Sequence, residues 1–147
     1  MNDSAVNACA GTSLTYLLLE TVHEVEARLE TALGQVGLSL AKLNVLSRLV
    51  EAGDPMPLGC LAERCSCVRS NMTQLVDRLE GDRLVERVSD PTDRRSVRAV
   101  LTPDGRARQA EGVRLVEETE RQLFASFGEA DRAALADLLR RLQREQP

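Results

Sequence analysis

Two helical stripes separated by almost nothing constrain this chain more than any other feature. Leu58, Leu61, Ala62 and Cys65 recur at i, i+3, i+4 and i+7, and after a residue or two of break Val68, Met72, Leu75, Val76 and Leu79 resume the stripe as far as Gly81. So short a break leaves no length for a gradual reversal, so the two helices must cross steeply, as in a helix-turn-helix. The period then changes. Leu84 to Val88 and Val97 to Leu101 read as two strands, joined by the polar, turn-rich stretch Ser89 to Arg95.

Longer helices flank this centre. From Ser13 to Leu33 the residues Leu14, Leu17, Leu18, Val22, Val25, Leu29 and Leu33 form an apolar stripe ended by Gly34 and Gly37. Ser39 is placed to cap a second helix closed by Gly53-Asp54-Pro55, and Thr102-Pro103-Asp104 combines a cap, a first-position Pro and a first-turn acid. A long helix follows to about Phe127, and a last one carries Ala133, Leu135, Leu138, Leu139 and Leu142. The fold class is therefore mostly α with a small β wing: a winged helix-turn-helix over 39–101, with helices 13–33 and 103–144 left for dimerisation. At 147 residues, 1–147 reads as a single domain.

A winged helix places its second helix in the major groove of DNA and its hairpin tip against the flanking minor groove or backbone. The apolar stripe of the 68–81 helix faces the core, which leaves Arg69, Ser70, Asn71, Thr73, Gln74 and Arg78 outward. Arg pairs with guanine, Asn or Gln with adenine, and hydroxyls reach bases or phosphates. Asp93, Arg94 and Arg95 at the loop tip, with Arg98 on the second strand, complete the candidate contact set; Asp93 is assigned the role of holding Arg95 in one rotamer. Charge agrees with this placement, because residues 64–106 carry nine Arg against seven acids while both flanks are acidic, for a total of -4. The partner so implied is double-stranded DNA. The other reading of the same elements is a winged-helix protein-interaction module without operator binding, which the pI of about 5.1 would suit. No paired catalytic groups are identified, so the chain is not read as an enzyme. The longest apolar runs are a few residues, and the chain is read as cytoplasmic with no membrane partner.

The sequence resembles the MarR family of winged-helix transcriptional regulators over nearly its whole length. The resemblance rests on Arg69 to Glu80 followed by Leu84-Val85-Glu86-Arg87, on Asp90 to Val97, where Asp93-Arg94-Arg95 matches the family's Asp-x-Arg wing motif, and on Leu101-Thr102 with Gly105 at the entry to the long helix. It implies a homodimer bound to a near-palindromic operator, usually as a repressor, released by a small lipophilic molecule, an oxidant or a metal. The turn departs from the family: Cys65-Ser66-Cys67-Val68 stands where a string such as Leu-Gly-Val-Ser is usual, and Ser66 or a backbone group is expected to replace the missing cap. His23, near the inner stripe of the first helix, is expected to be a partly buried structural residue in preference to a ligand contact.

Four cysteines, Cys9, Cys60, Cys65 and Cys67, are bunched rather than spread as a disulfide framework. Cys65 and Cys67 can be small apolar core residues. Cys60 lies on the helix face opposite Leu58 and Leu61, with no packing reason to be there. Three thiols in eight residues, with Cys9 as a further ligand, could instead bind a soft metal, a metalloid or an iron-sulfur cluster, or be oxidised. DNA binding itself requires no cofactor.

Overall fold

In a computed structural model of the chain, residues 13–145 are described. Helix α1 (Leu14–Gly34) runs from Ser13 and buries only Leu33 fully; Leu14, Tyr16, Leu17, Leu19 and Val22 remain exposed. Helix α2 (Leu40–Ala52) starts at Ser39, whose Oγ accepts a hydrogen bond from the Lys42 amide at 3.2 Å, and stops at Gly53 in the left-handed region at φ +69°. Both boundaries agree with the sequence reading.

Strand β1 (Met56–Pro57) leads directly into α3 (Leu58–Arg64), and α4 (Arg69–Gly81) follows across the turn Cys65 to Val68. The turn is tied down by Cys65 N–H to Leu61 O at 3.0 Å and Cys67 N–H to Ala62 O at 2.9 Å, with Ser66 between them at φ +50°. Strands β2 (Val85–Ser89) and β3 (Val97–Leu101) form the hairpin, in register from Val85 opposite Leu101 to Ser89 opposite Val97. The first strand thus begins one residue later than the alternation suggests. Leu84 sits in the preceding turn, fully enclosed, and donates its amide to Leu79 O.

Strand β1 was not expected from sequence. It pairs antiparallel with β3, Met56 opposite Ala99, and completes a three-stranded sheet in the order β1-β3-β2. Two residues are too few to carry a period, so only the distant partner defines the strand.

Helix α5 (Pro103–Leu123) is capped by Thr102, whose Oγ1 accepts from the Gly105 amide at 2.9 Å, and packs along α1 and α2. Its close approach depends on missing side chains: a Cβ on Gly105 would lie 2.0 Å from the Leu84 carbonyl oxygen, and one on Gly112 would lie 2.8 Å from Leu38 Cδ1. The core beneath α5 gathers Leu33, Val45, Leu46, Leu61, Met72, Val76, Leu79 and Val85, all fully buried. The last helix, α6 (Glu129–Arg144), buries no residue fully and leaves Leu138, Leu139 and Leu142 exposed. No described helix is long and apolar enough to cross a membrane.

Candidate nucleic-acid interface

Helix α4 divides cleanly by period. Met72, Val76 and Leu79 are fully buried, while Arg69, Ser70, Asn71, Thr73, Gln74 and Arg78 are all exposed, as the spacing requires. The Thr73 hydroxyl donates back to Arg69 O at 3.0 Å. The side chains of Ser70, Asn71 and Gln74 make no hydrogen bond among the described residues, so their donors and acceptors are available to a ligand. Arg69 leans toward α3: its Cζ lies 3.9 Å from where a Cβ on Gly59 would be.

The start of α4 differs from expectation. Val68 is the cap residue, at φ -69° and ψ 147°, and no side chain caps the helix. Ser66 does not replace the cap, because its left-handed backbone is spent on the turn.

At the wing, Asp90 is the organising residue. It is 7% exposed, and its Oδ1 accepts from the Thr92 amide and hydroxyl at 2.9 and 2.7 Å while Oδ2 accepts from Arg98 Nε at 2.9 Å. Arg98 Nη2 also lies 2.8 Å from that oxygen. Arg98, assigned from sequence to the contact set, is also engaged within the wing: its guanidinium holds the base of the wing together. The assigned role of Asp93 changes. Its Oδ1 accepts from the backbone amide of Arg95 at 3.0 Å, and its carbonyl accepts from Ser96 N–H at 3.0 Å, so it shapes the loop backbone and leaves the Arg95 side chain free.

The hydrogen bonds from Thr92, backbone first and hydroxyl second, and then from Arg98 hold the Asp90 carboxyl at a pKa of about 2. A folded pKa below the unfolded value of ~3.9 means that the stabilisation is fully present above the unfolded value and is lost as pH falls through about 2. A carbon-detected NMR titration of Asp90 is thus expected to show a midpoint near 2 and a wing unchanged at pH 5. A midpoint near ~4, the value of a free aspartate, would contradict the network.

Sequence reasoning missed Arg87. From β2 its amide donates to Glu80 Oε2 at 3.0 Å, while its guanidinium reaches Glu80 Oε1 at 3.2 Å, Thr73 O at 3.3 Å and the Asp77 carboxylate. One side chain thus fastens the wing to the outer face of α4. The spacing of Asp77 and Glu80, i and i+3 on that face, was the available signal.

The contrast among the arginines is the electrostatic result. Arg87 and Arg98 are paired internally, whereas Arg69, Arg78, Arg94 and Arg95 are exposed and form no salt bridge among the described residues.

The cysteines separate. Cys60 is exposed on α3, and Cys65 and Cys67 are half-buried against the core. Burial pushes the Cys65 thiol up, opposed by the charge of Arg48 and reinforced by Cys67. Arg48 Nε is itself buried without a hydrogen-bond partner among the described residues. No group of three or more His, Cys, Asp or Glu among the described residues is arranged to hold a metal ion. Cys9 lies outside the described residues. His23 is exposed rather than partly buried, because only a narrow strip of α1 meets α5 within one chain.

The family model described as MarR family matches residues 38–97, from just before α2 to the first residue of β3. An uncharacterized HTH-type transcriptional regulator of Bacillus subtilis (strain 168), YsmB, is 39% identical over 100 residues, which are 68% of this chain and 68% of that protein. Among solved structures, the transcriptional repressor CouR bound to a 23-mer DNA duplex is 30% identical with a TM-score of 0.80, over 90% of this chain and 94% of that one. Bordetella bronchiseptica BpsR, whose DNA binding is regulated by 6-hydroxynicotinic acid, is 27% identical with a TM-score of 0.79, over 92% and 96%.

Proposed function

The chain belongs to the MarR family of transcriptional regulators, and from that premise we propose that it acts as a homodimer on a near-palindromic operator, with α4 of each protomer in the major groove and the β2–β3 wing at the flanking backbone or minor groove. The observation that carries this reading is the arginine contrast: four exposed arginines on α4 and the wing tip lack an internal carboxylate, in a protein whose net charge is -4. An acidic body gains nothing near DNA from its mean charge, so unpaired cations at one place are what a phosphate backbone would select. CouR, similar over nearly its whole length, has been solved on duplex DNA.

Dimerisation is supported by apolar side chains with nothing over them. Leu14, Leu17, Leu138 and Leu142 are 81%, 59%, 56% and 53% exposed in the single chain, on α6, which buries no residue fully, and on the start of α1, whose one fully buried residue, Leu33, lies at the other end. With a two-fold between protomers, the half-sites should be centred ~10 base pairs apart.

Repression relieved by a small lipophilic effector fits the same fold. A largely apolar cavity of about 510 Å³ lies between α1, α5 and α6, lined by Leu18, Val22, Val25, Phe124, Phe127 and Leu139. The half-burial of Cys65 and Cys67 supports reading them as packing residues, which leaves exposed Cys60 as the thiol open to an oxidant or soft metal.

The test is operator affinity as a function of salt, using a duplex selected by the wild-type protein from a random pool. An Arg94→Ala/Arg95→Ala variant is expected to bind more weakly and to lose ~0.9 from the salt slope for each arginine that neutralises a phosphate. Unchanged affinity and slope would refute the wing assignment.

A further inference from the structure

We propose that Val68 reads the 5-methyl group of a thymine in each operator half-site, and so sets base preference at a position that hydrogen bonding does not determine. The inference rests on the DNA-binding reading above and assigns it a further specificity residue. Val68 is 62% exposed at the tip of α4. At a cap position Ser, Thr, Asp or Asn would each accept a hydrogen bond from a free helix amide, and Val accepts none.

Packing does not explain the isopropyl group either. In a hydrophobic staple the residue before the cap packs against the fourth helical residue. Those residues here are Cys67 and Met72; Met72 is fully buried in the core cluster, and Cys67 packs against that cluster. Both staple positions are thus taken up by the core without Val68. An apolar side chain that neither caps nor packs, in the first turn of the helix read as entering the groove, meets only what the helix meets.

The surroundings make an apolar contact the useful one. Ser70 and Asn71 carry free hydrogen-bonding groups just beyond it, and the Arg69 guanidinium lies beside Gly59 of α3. N-terminal residues of a recognition helix approach base edges. In the major groove thymine alone among the four bases carries a methyl group, which no donor or acceptor can recognise and an aliphatic side chain can cover.

The experiment uses the full chain and the duplex it selects from a random pool. Each thymine is replaced singly by deoxyuracil, which keeps every hydrogen-bonding group and lacks the methyl, and affinity is measured at one salt concentration for wild type, Val68→Ala and Val68→Ser. One thymine position per half-site is expected to cost wild type about fourfold, the value of one buried methyl-sized group. The same replacement should cost Val68→Ser nothing and Val68→Ala less than wild type. Val68→Ser restores a capping side chain, so its loss of methyl sensitivity cannot come from a weakened helix. Wild type indifferent to every replacement, or variants that retain the full sensitivity, would overturn the assignment while leaving DNA binding intact. A wild type that selects no duplex would overturn both readings.

Discussion

A Leu138→Glu/Leu142→Glu variant is expected to sediment as a monomer and to bind its operator at least about a hundredfold more weakly than wild type. Two half-sites held by one dimer gain an effective-concentration advantage of roughly 10²–10⁴ over one half-site alone, and all of it disappears when the protomers part. Both leucines are more than half exposed in the single chain and α6 buries no residue fully, so the substitutions leave the core beneath α2 to α5 untouched. Glutamates there would have to be desolvated against the partner's apolar face, at a cost well above that of losing two aliphatic contacts. Circular dichroism should show an unchanged helix content. A variant that remains dimeric in the ultracentrifuge would place the interface elsewhere.

Gly105→Ala is expected to destabilise the protein by about 3 kcal/mol and to lower its melting temperature by roughly 10 °C. Alanine in a helix is ordinarily favoured over glycine by about 0.5–1 kcal/mol, so the sign depends on which effect is larger. Here the added methyl would stand 2.0 Å from the Leu84 carbonyl oxygen, which also accepts the Thr102 amide at 3.1 Å. A backbone carbonyl held in that way cannot swing aside as a side-chain tip would, so α5 must move off the strand junction and take the Thr102 cap with it. Thermal unfolding followed by circular dichroism measures the outcome. A melting temperature equal to or above that of wild type would show that the junction has room the geometry denies.

What could be read from sequence was chemistry that acts over a few residues. Ser39, Gly53 and the Thr102-Pro103 start each satisfy or release neighbouring backbone groups, and all three stand where the residues indicated. The outward set on α4 followed from a period of 3.6 alone. What could not be read was set by distant partners. Strand β1 exists because Ala99 and Arg98 lie opposite it, more than forty residues later. Arg98 looked like a free cation because Asp90, eight residues earlier, becomes its partner only when the hairpin closes. His23 sits beside an apolar stripe, and periodicity could not tell that its own side of α1 stays exposed among the described residues.

The internal pairing of Arg87 and Arg98 also bears on how such a regulator would find its target. Affinity for random DNA comes almost entirely from cations over phosphates, and the internal pairing withholds Arg87 and Arg98 from that task on a body of net charge -4. On the DNA-binding reading, visits to non-cognate sequence are brief, and the search proceeds by frequent detachment and recapture rather than by long one-dimensional slides. Residence on the operator then rests on base-edge contacts, so occupancy can follow a change in effector concentration without a large reservoir of non-specifically bound protein to drain first.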